Sequence, residues 1–381
     1  MRRGYDAIVI GLGGMGSAAA YHLAKRGLRV LGLDAFARGH GRGSSHGRSR
    51  IIREAYYEAP EYVPLVQRGY GLWRRLEEES GRALLRITGG LSIGRPDSNV
   101  VTGVIASAKR HGLVCEELSP ADVAERFPGF RLTHDLVAVF QPNSGILDPE
   151  ACNEAHLDLA SQYGAEFLHG ERVLSWAADG EGVRVDTDRQ TYRADRAVIA
   201  VGAWSGELLA DLQLPLSAQR VVNVHFEPTR PELFAPDRCP VHSWQVPEGH
   251  YYGVPALPDQ GVKFGRHDAN EECTPETVHR QVDPQEIEAL RKVLDRYLPG
   301  AAGATKWTIT CIYPNSIDRH FIIDRHPRHS QVVYGCGFSG HGFKFASVVG
   351  EILADLAQDG HTRHPIGFIA AARFASPAVV A

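Results

Sequence analysis

No stretch of this chain is long and apolar enough for a membrane-spanning helix, which needs roughly 20 consecutive apolar residues. A positive excess is also lacking. The 41 Lys and Arg face 45 Asp and Glu, for a net charge of −4, so bulk attraction to nucleic acid or to an anionic membrane is not expected. Cysteines are few: Cys115, Cys152, Cys239, Cys273, Cys311 and Cys336 include no CxxC pair. They read as neither a disulfide framework nor a zinc site, and no metal is expected. Repeats and low-complexity segments are absent. Between Arg2-Arg3 and the first apolar run there is no room for the apolar region and cleavage site of a secretory leader, so a cytoplasmic location is expected.

What is present is an ordinary globular composition, 43% hydrophobic and 23% charged. At 381 residues the chain exceeds the size at which one core stops growing, and two domains are the default. The most informative segment lies at the start. An apolar run, Ala7 to Ile10, stops at Gly11-x-Gly13-x-x-Gly16, a helical stretch follows to Arg26, and a second apolar run from Leu28 ends on Asp34. This is strand, glycine turn, helix, strand and acid. Gly11 permits the tight turn, Gly13 lets the backbone approach a pyrophosphate, and Gly16 lets helix and strand pack closely. The helix N-terminus offers free N–H groups and the positive end of its dipole to phosphates. Asp34 is placed to take a ribose hydroxyl.

Residues 38–53 mix glycines with cations, among them Arg42, His46, Arg48, Arg50 and Arg53. Such a loop, arriving directly after Asp34, suits a fold over a diphosphate. Helical spacing predicts helices over 58–79, 106–111, 151–163, 285–297 and 346–358. Residues 193–201 form a buried strand returning to the first sheet, with Leu208, Leu209 and Leu212 in a helix after it. Strand signals at 221–226, 251–254 and 262–265 predict a second, largely antiparallel sheet. A second Gly-x-Gly-x-x-Gly, Gly335 to Gly340, follows a strand. No further strand with a ribose-binding acid comes after it, so it reads as a strand-to-helix turn whose helix points at a cofactor already bound. One dinucleotide fingerprint without a second favours FAD over a two-nucleotide reductase, with oxygen as the simplest electron acceptor.

Longer ordered segments carry a family resemblance. They are Gly43-Ser-Ser-His46-Gly-Arg48-Ser-Arg50-Ile-Ile-Arg53-Glu-Ala-Tyr56, Glu61-Tyr-Val-Pro-Leu, Gln141-Pro-Asn-Ser-Gly-Ile, Tyr251-Tyr252-Gly, Cys311-Ile-Tyr313, His320-Phe-Ile-Ile-Asp324 and Gly337-Phe-Ser-Gly-His-Gly-Phe-Lys344-Phe. Over nearly its whole length the chain resembles the monomeric sarcosine oxidase and N-methyltryptophan oxidase family of flavin-dependent amine oxidases. The resemblance implies an α/β fold: a Rossmann-like FAD-binding domain, discontinuous over 1–84, 146–214 and 314–381, and an antiparallel-sheet substrate domain over 85–145 and 215–313. It implies a monomer that oxidises a secondary amino acid such as sarcosine by hydride transfer to the flavin. Oxygen then yields hydrogen peroxide, and the imine hydrolyses to amine and aldehyde. A bulkier substrate (N-methyltryptophan, pipecolate or a fructosyl amino acid) is the alternative within the family, and a flavin-binding electron-transfer protein the alternative outside it.

The same resemblance assigns residues. FAD is held by Gly11, Gly13, Gly16, Asp34, Arg42, Ser45, His46, Gly340, Gly342 and Lys344, and is joined covalently to Cys311. Arg53 and Lys344 anchor the substrate carboxylate beside Tyr56, as a planar fork and a point charge would. Lys263 assists oxygen, where a cation stabilises developing negative charge. Arg50, His267, Tyr252 and Tyr313 complete the reacting surface. Four features depart from the family pattern: Arg48 in place of an acid, Glu54 in place of a histidine, Ser243-Trp244 in the pocket wall and the extra cation Arg266.

Overall fold

In the computed structural model, which describes residues 4–269 and 271–374, the opening pattern folds as strand β1 (Tyr5–Ile10), helix α1 (Gly14–Lys25) and strand β2 (Val30–Asp34). All five residues of β2 and the last four of β1 are buried, as expected of central parallel strands covered on both faces. β1 pairs in parallel with β2 on one side (Ile8 opposite Leu31) and with the strand Thr191–Ile199 on the other (Val9 opposite Val198). Glu166–His169 extends the sheet beyond β2. Val332–Cys336 extends it in parallel beyond Thr191–Ile199, so the far C-terminal glycine turn emerges at the same sheet end as the first. This is the expected Rossmann-type core.

Helices Gly14–Lys25, Pro149–Gln162 and Ala346–Asp359 cover one face. α1 and Ala346–Asp359 approach closely because Gly350 lies directly against Ala18, where a Cβ would collide. The second sheet has nine strands and is antiparallel except where Val241–Val246 runs parallel to Gly90–Gly94. Its core, Phe226, Phe234, Trp244 and Phe264 among others, packs under helix Pro284–Tyr297. A capping box of Asp283 and Glu286 starts that helix. A three-stranded strip, Arg50–Ile52, Gly145–Leu147 and Leu85–Ile87, carries the cationic loop into a fixed register.

Three local expectations need correction. Arg50–Ile52 is a strand and not part of a loop, because Gly145–Leu147 supplies its partners. The helix expected from Ala106 begins at Asn99; its buried face, Val100, Val101 and Val104, is β-branched and hides the helical pattern. The helix expected around Leu208–Leu212 is broken into Ser205–Leu208 and a 3₁₀ turn, Ala210–Leu212. The hairpin Val173–Asp179/Gly182–Thr187 was not anticipated, although Asp179-Gly180 before the alternating Val183 and Val185 signals it. No helix among the described residues is long and apolar enough to cross a membrane.

Candidate active site

The glycine turn shows why each glycine is needed. Gly11 has φ of +86° and lies against the Ala200 carbonyl, where no Cβ fits. A Cβ on Gly16 would meet the Gly11 carbonyl, so this glycine packs beneath the turn and does not face the cavity. Gly13 caps α1 without a side chain of its own. Ser45, arriving from the cationic loop, accepts the Gly14 N–H at 2.9 Å. Asp34 accepts the N–H groups of Leu12 at 2.8 Å and Phe36 at 2.9 Å, and lies 3.4 Å from His40 Nε2. Burial raises its pKa, but the His40 contact and the two amides outweigh burial and hold the carboxyl below its ordinary range.

From this turn a cavity of about 310 Å³ runs along residues 43–53 to the second sheet. Gly11, Asp34, Arg50, Lys263, Cys311 and Lys344 all line it. Its floor is built from opposed charges. Glu150 accepts the N–H groups of Gly47 at 2.6 Å and Arg48 at 3.0 Å. That arrangement turns the Gly47 and Ser49 carbonyls toward Lys263, whose ammonium donates to them at 3.1 and 2.9 Å. An ammonium has three donors, so one remains. Lys263 is buried in the strand Gly261–Arg266. Burial and then the charge of Arg50 lower its pKa to about 7.

Cys311 projects from the long strand Thr305–Ser316 into a cationic corner. Its sulfur lies 4.0 Å from His46 Nε2 and 3.9 Å from Arg50 Nη2. His46 Nε2 faces the Gly43 carbonyl at 3.0 Å, so it carries a proton. Arg50 is pinned by the carbonyls of Ser49 at 2.8 Å, Ser44 at 2.9 Å and His46. Burial pushes the Cys311 thiol up; the His46 hydrogen bond and the charges of His46, Arg50 and Lys263 overcome it and bring the pKa down to about 6. A buried thiol in an electropositive corner is the arrangement that makes cysteine a nucleophile at neutral pH.

The cavity is also lined by two more buried cations. Lys344 donates to the His341 carbonyl at 2.7 Å and to the Tyr56 hydroxyl at 3.3 Å. Burial, followed by the charge of Arg53, lowers it to about 7. The guanidinium of Arg53 is paired with Glu58, one nitrogen lying 2.6 Å from both carboxylate oxygens. It also sits 4.1 Å from the Tyr56 ring and 4.2 Å from the Tyr57 ring. Burial raises the Glu58 pKa, but Arg53, His341 and Lys344 reverse that and hold it near 2. On the same wall, Tyr313 donates to Tyr252 at 3.1 Å, and Tyr252 donates to Asn223 at 2.7 Å. Tyr313 packs on Gly340, whose φ of +77° and missing Cβ admit the ring. Gly342 lines the same wall. His267 stands between His250 and Tyr313, with ring centroids 4.9 and 5.4 Å away. Burial, reinforced by His250 and His341, keeps it neutral.

The structure therefore gathers Gly11, Gly13, Asp34, Ser45, Arg50, Arg53, Tyr252, Lys263, His267, Cys311, Tyr313, Gly340, Gly342 and Lys344 around one cavity, with His46 directly behind Cys311. Three expected residues lie elsewhere, Gly16 beneath the turn among them. Arg42 is exposed and does not line the cavity; its carbonyl accepts from Arg280 at 2.7 Å. Tyr56 is buried behind Lys344 and Arg53, and Tyr57 lines the wall in its place. Of the departures, Arg48, Glu54 and Arg266 prove peripheral. Arg48 is exposed beside Trp307, Glu54 binds Gln67 and Asn143, and Arg266 pairs with Asp268. Ser243 reaches the cavity and Trp244, its neighbour along the strand, faces the core. Sequence reasoning missed Glu58, Glu150, His250 and His341. Only His341 stood in a conspicuous motif, between Gly340 and Gly342.

Comparison with known proteins agrees with this picture. The family described as FAD dependent oxidoreductase matches residues 6–356. Monomeric sarcosine oxidase of Streptomyces avermitilis is 45% identical over 98% of both chains. N-methyl-L-tryptophan oxidase of Escherichia coli is 34% identical over 93% of this chain and 95% of its own. Among solved structures, NikD, an unusual amino acid oxidase essential for nikkomycin biosynthesis, superposes in its open form with a TM-score of 0.85 at 28% identity, covering 96% of this chain and 97% of that one.

Proposed function

Because the chain belongs to the FAD-dependent oxidoreductase family, we propose that it is an amine oxidase that oxidises the C–N bond of an N-methyl amino acid, with sarcosine the simplest substrate. Relatives named for sarcosine and for N-methyl-L-tryptophan support the substrate class. The residues present fit FAD. The start of α1, capped only by Ser45 from another segment, and the tight glycine turn form a cradle without side chains, Asp34 is a buried acid beside it, and Cys311 is an acidic thiol on the same cavity. Bound FAD supplies the hydride acceptor.

The remaining roles belong to the chain. Backbone N–H groups at the start of α1 take the diphosphate, and Asp34 takes ribose. Cys311, as thiolate, is the residue that would hold the cofactor covalently. Lys344 and Arg53 hold the substrate carboxylate, so the N-methyl group points along the cavity. Arg53 meets that carboxylate by exchanging Glu58 for it. The cations also favour the neutral substrate amine, whose lone pair is needed to release hydride. Lys263 keeps one N–H for dioxygen, the acceptor that becomes hydrogen peroxide, while water hydrolyses the imine to amine and aldehyde. The enzyme is proposed as a cytoplasmic monomer, the second point resting on the names of its bacterial relatives. Tyr57, His250 and Ser243 leave hydrogen-bonding groups on the wall, and this polarity favours, as the second reading, a substrate with a side chain larger than that of sarcosine.

The observation that carries the proposal is the pair of buried lysines, Lys263 and Lys344, on one cavity with an acidic Cys311. A panel of N-methyl and unmethylated amino acids, assayed for peroxide release by the purified holoenzyme, tests it. Peroxide is expected only with secondary amines bearing a carboxylate. Equal rates with N-methyl amines lacking that group, or no peroxide with any member, would refute it.

A further inference from the structure

Tyr56 is fully buried and off the cavity, yet it touches both carboxylate-facing cations. Its hydroxyl lies 3.3 Å from Lys344 Nζ, and the Arg53 guanidinium sits 4.1 Å from its ring. The hydrogens around that hydroxyl have one consistent arrangement. His341 Nε2 faces the Arg319 carbonyl at 3.0 Å. A carbonyl only accepts, so Nε2 carries the proton of the neutral ring and Nδ1 is left as acceptor. Tyr56 lies 2.6 Å from Nδ1 and 3.2 Å from the His341 carbonyl, both acceptors, so its one proton is donated to His341. Its oxygen is then committed to accepting from Lys344. The chain Lys344 to Tyr56 to His341 to Arg319 runs in one direction only, and it ends on fixed backbone. Aromatic packing by Tyr62 and Phe345, at centroid distances of 5.0 and 5.2 Å, leaves the Tyr56 ring no other seat.

We propose that Tyr56, oriented by His341, is a positioning residue that fixes Lys344 and Arg53 as a matched pair, and so sets carboxylate recognition from behind without touching substrate. The inference rests on the reading of Lys344 and Arg53 as the carboxylate anchor. Its hydroxyl acts on Lys344 and its ring on Arg53, so the two contributions can be separated by substitution.

The test measures KM and kcat of the holoenzyme for an N-methyl amino acid. Binding of acetate, read from the flavin absorption band, provides a second measurement. Tyr56→Phe keeps the ring under Arg53 and removes the acceptor. KM and the acetate Kd are expected to rise roughly tenfold, the lower end for one lost hydrogen bond to a charged group, with kcat changed less than about twofold. In a Lys344→Met background, where the ammonium is gone, Tyr56→Phe is expected to have almost no further effect, as coupled neighbours require. His341→Gln retains a donor for Arg319 and an acceptor for Tyr56, and should preserve more affinity than His341→Leu. An unchanged KM in Tyr56→Phe would overturn the proposal. So would an equal loss with and without Lys344, which would indicate a merely structural role. Failure of the anchor reading is seen separately, in wild-type holoenzyme that binds no acetate.

Discussion

The acidity of Cys311 makes a quantitative prediction for cofactor attachment. The thiol is held at a pKa of about 6 by His46, Arg50 and Lys263 against the opposing effect of burial. At pH 7 a group of that pKa is about 90% thiolate, whereas an ordinary cysteine near 8.5 is about 3%. That difference corresponds to about 3 kcal/mol of preferential stabilisation of the anion. Apoprotein mixed with FAD and sampled over pH 5 to 9 should therefore attach flavin with a rate that climbs through pH 6 and is flat by pH 7. The assay is fluorescence of the protein band after denaturation and washing. Substituting His46→Asn removes the largest stabilising partner, and the climb should move to higher pH. Because a less acidic thiolate is also the better nucleophile, the rate at pH 9 should change much less than the rate at pH 7. Cys311→Ala should release all flavin on denaturation. A rate that climbs only above pH 8 in the wild type, or a His46→Asn profile superposing on it, would refute the assignment of the corner as a thiolate-generating site.

Three other outcomes follow from the same geometry. Lys263→Met should slow turnover at limiting oxygen by at least tenfold while leaving anaerobic bleaching by the amine nearly intact, since its free N–H is placed for developing negative charge; an unchanged oxygen dependence contradicts this. Carboxylate ligands lacking an amine should bind more weakly as pH rises past about 7, where Lys344 loses its proton, with Arg53 retaining residual affinity; titration of acetate binding from pH 6 to 9 checks the sign. Glu58→Gln leaves a buried Arg53 without its carboxylate and should cost about 3–5 kcal/mol of stability. A bound carboxylate should then stabilise this variant more than wild type, and equal shifts in melting temperature would show that Arg53 does not exchange partners.

How far the site could be read in advance depended on whether a residue's role is local. Gly11, Gly13 and Gly16 were legible because each serves a backbone requirement within one turn. Asp34 was legible because the length of one βαβ unit brings it back to that turn. The two larger sheets were anticipated where apolar runs were continuous, whereas the three-stranded strip was missed at Arg50–Ile52, whose partner lies in another segment. Tyr56 and Tyr57 show the limit. They follow the last regular residue of the Arg50–Ile52 strand, so no period decides which of two adjacent tyrosines faces the cavity. The anions were the least legible. Glu150 reaches the loop across 103 residues, and no motif announces a carboxylate that accepts two amides. Yet these anions decide what the recognised cations can do. Lys263 has fixed carbonyl partners because Glu150 turns the loop toward it. Arg53 is paired with Glu58 through one nitrogen, whereas Lys344 is held by neutral oxygens alone. The two cations read as equivalent in sequence are thus unequal in structure: Arg53 is ion-paired with Glu58, and Lys344 is held by a backbone carbonyl and a hydroxyl.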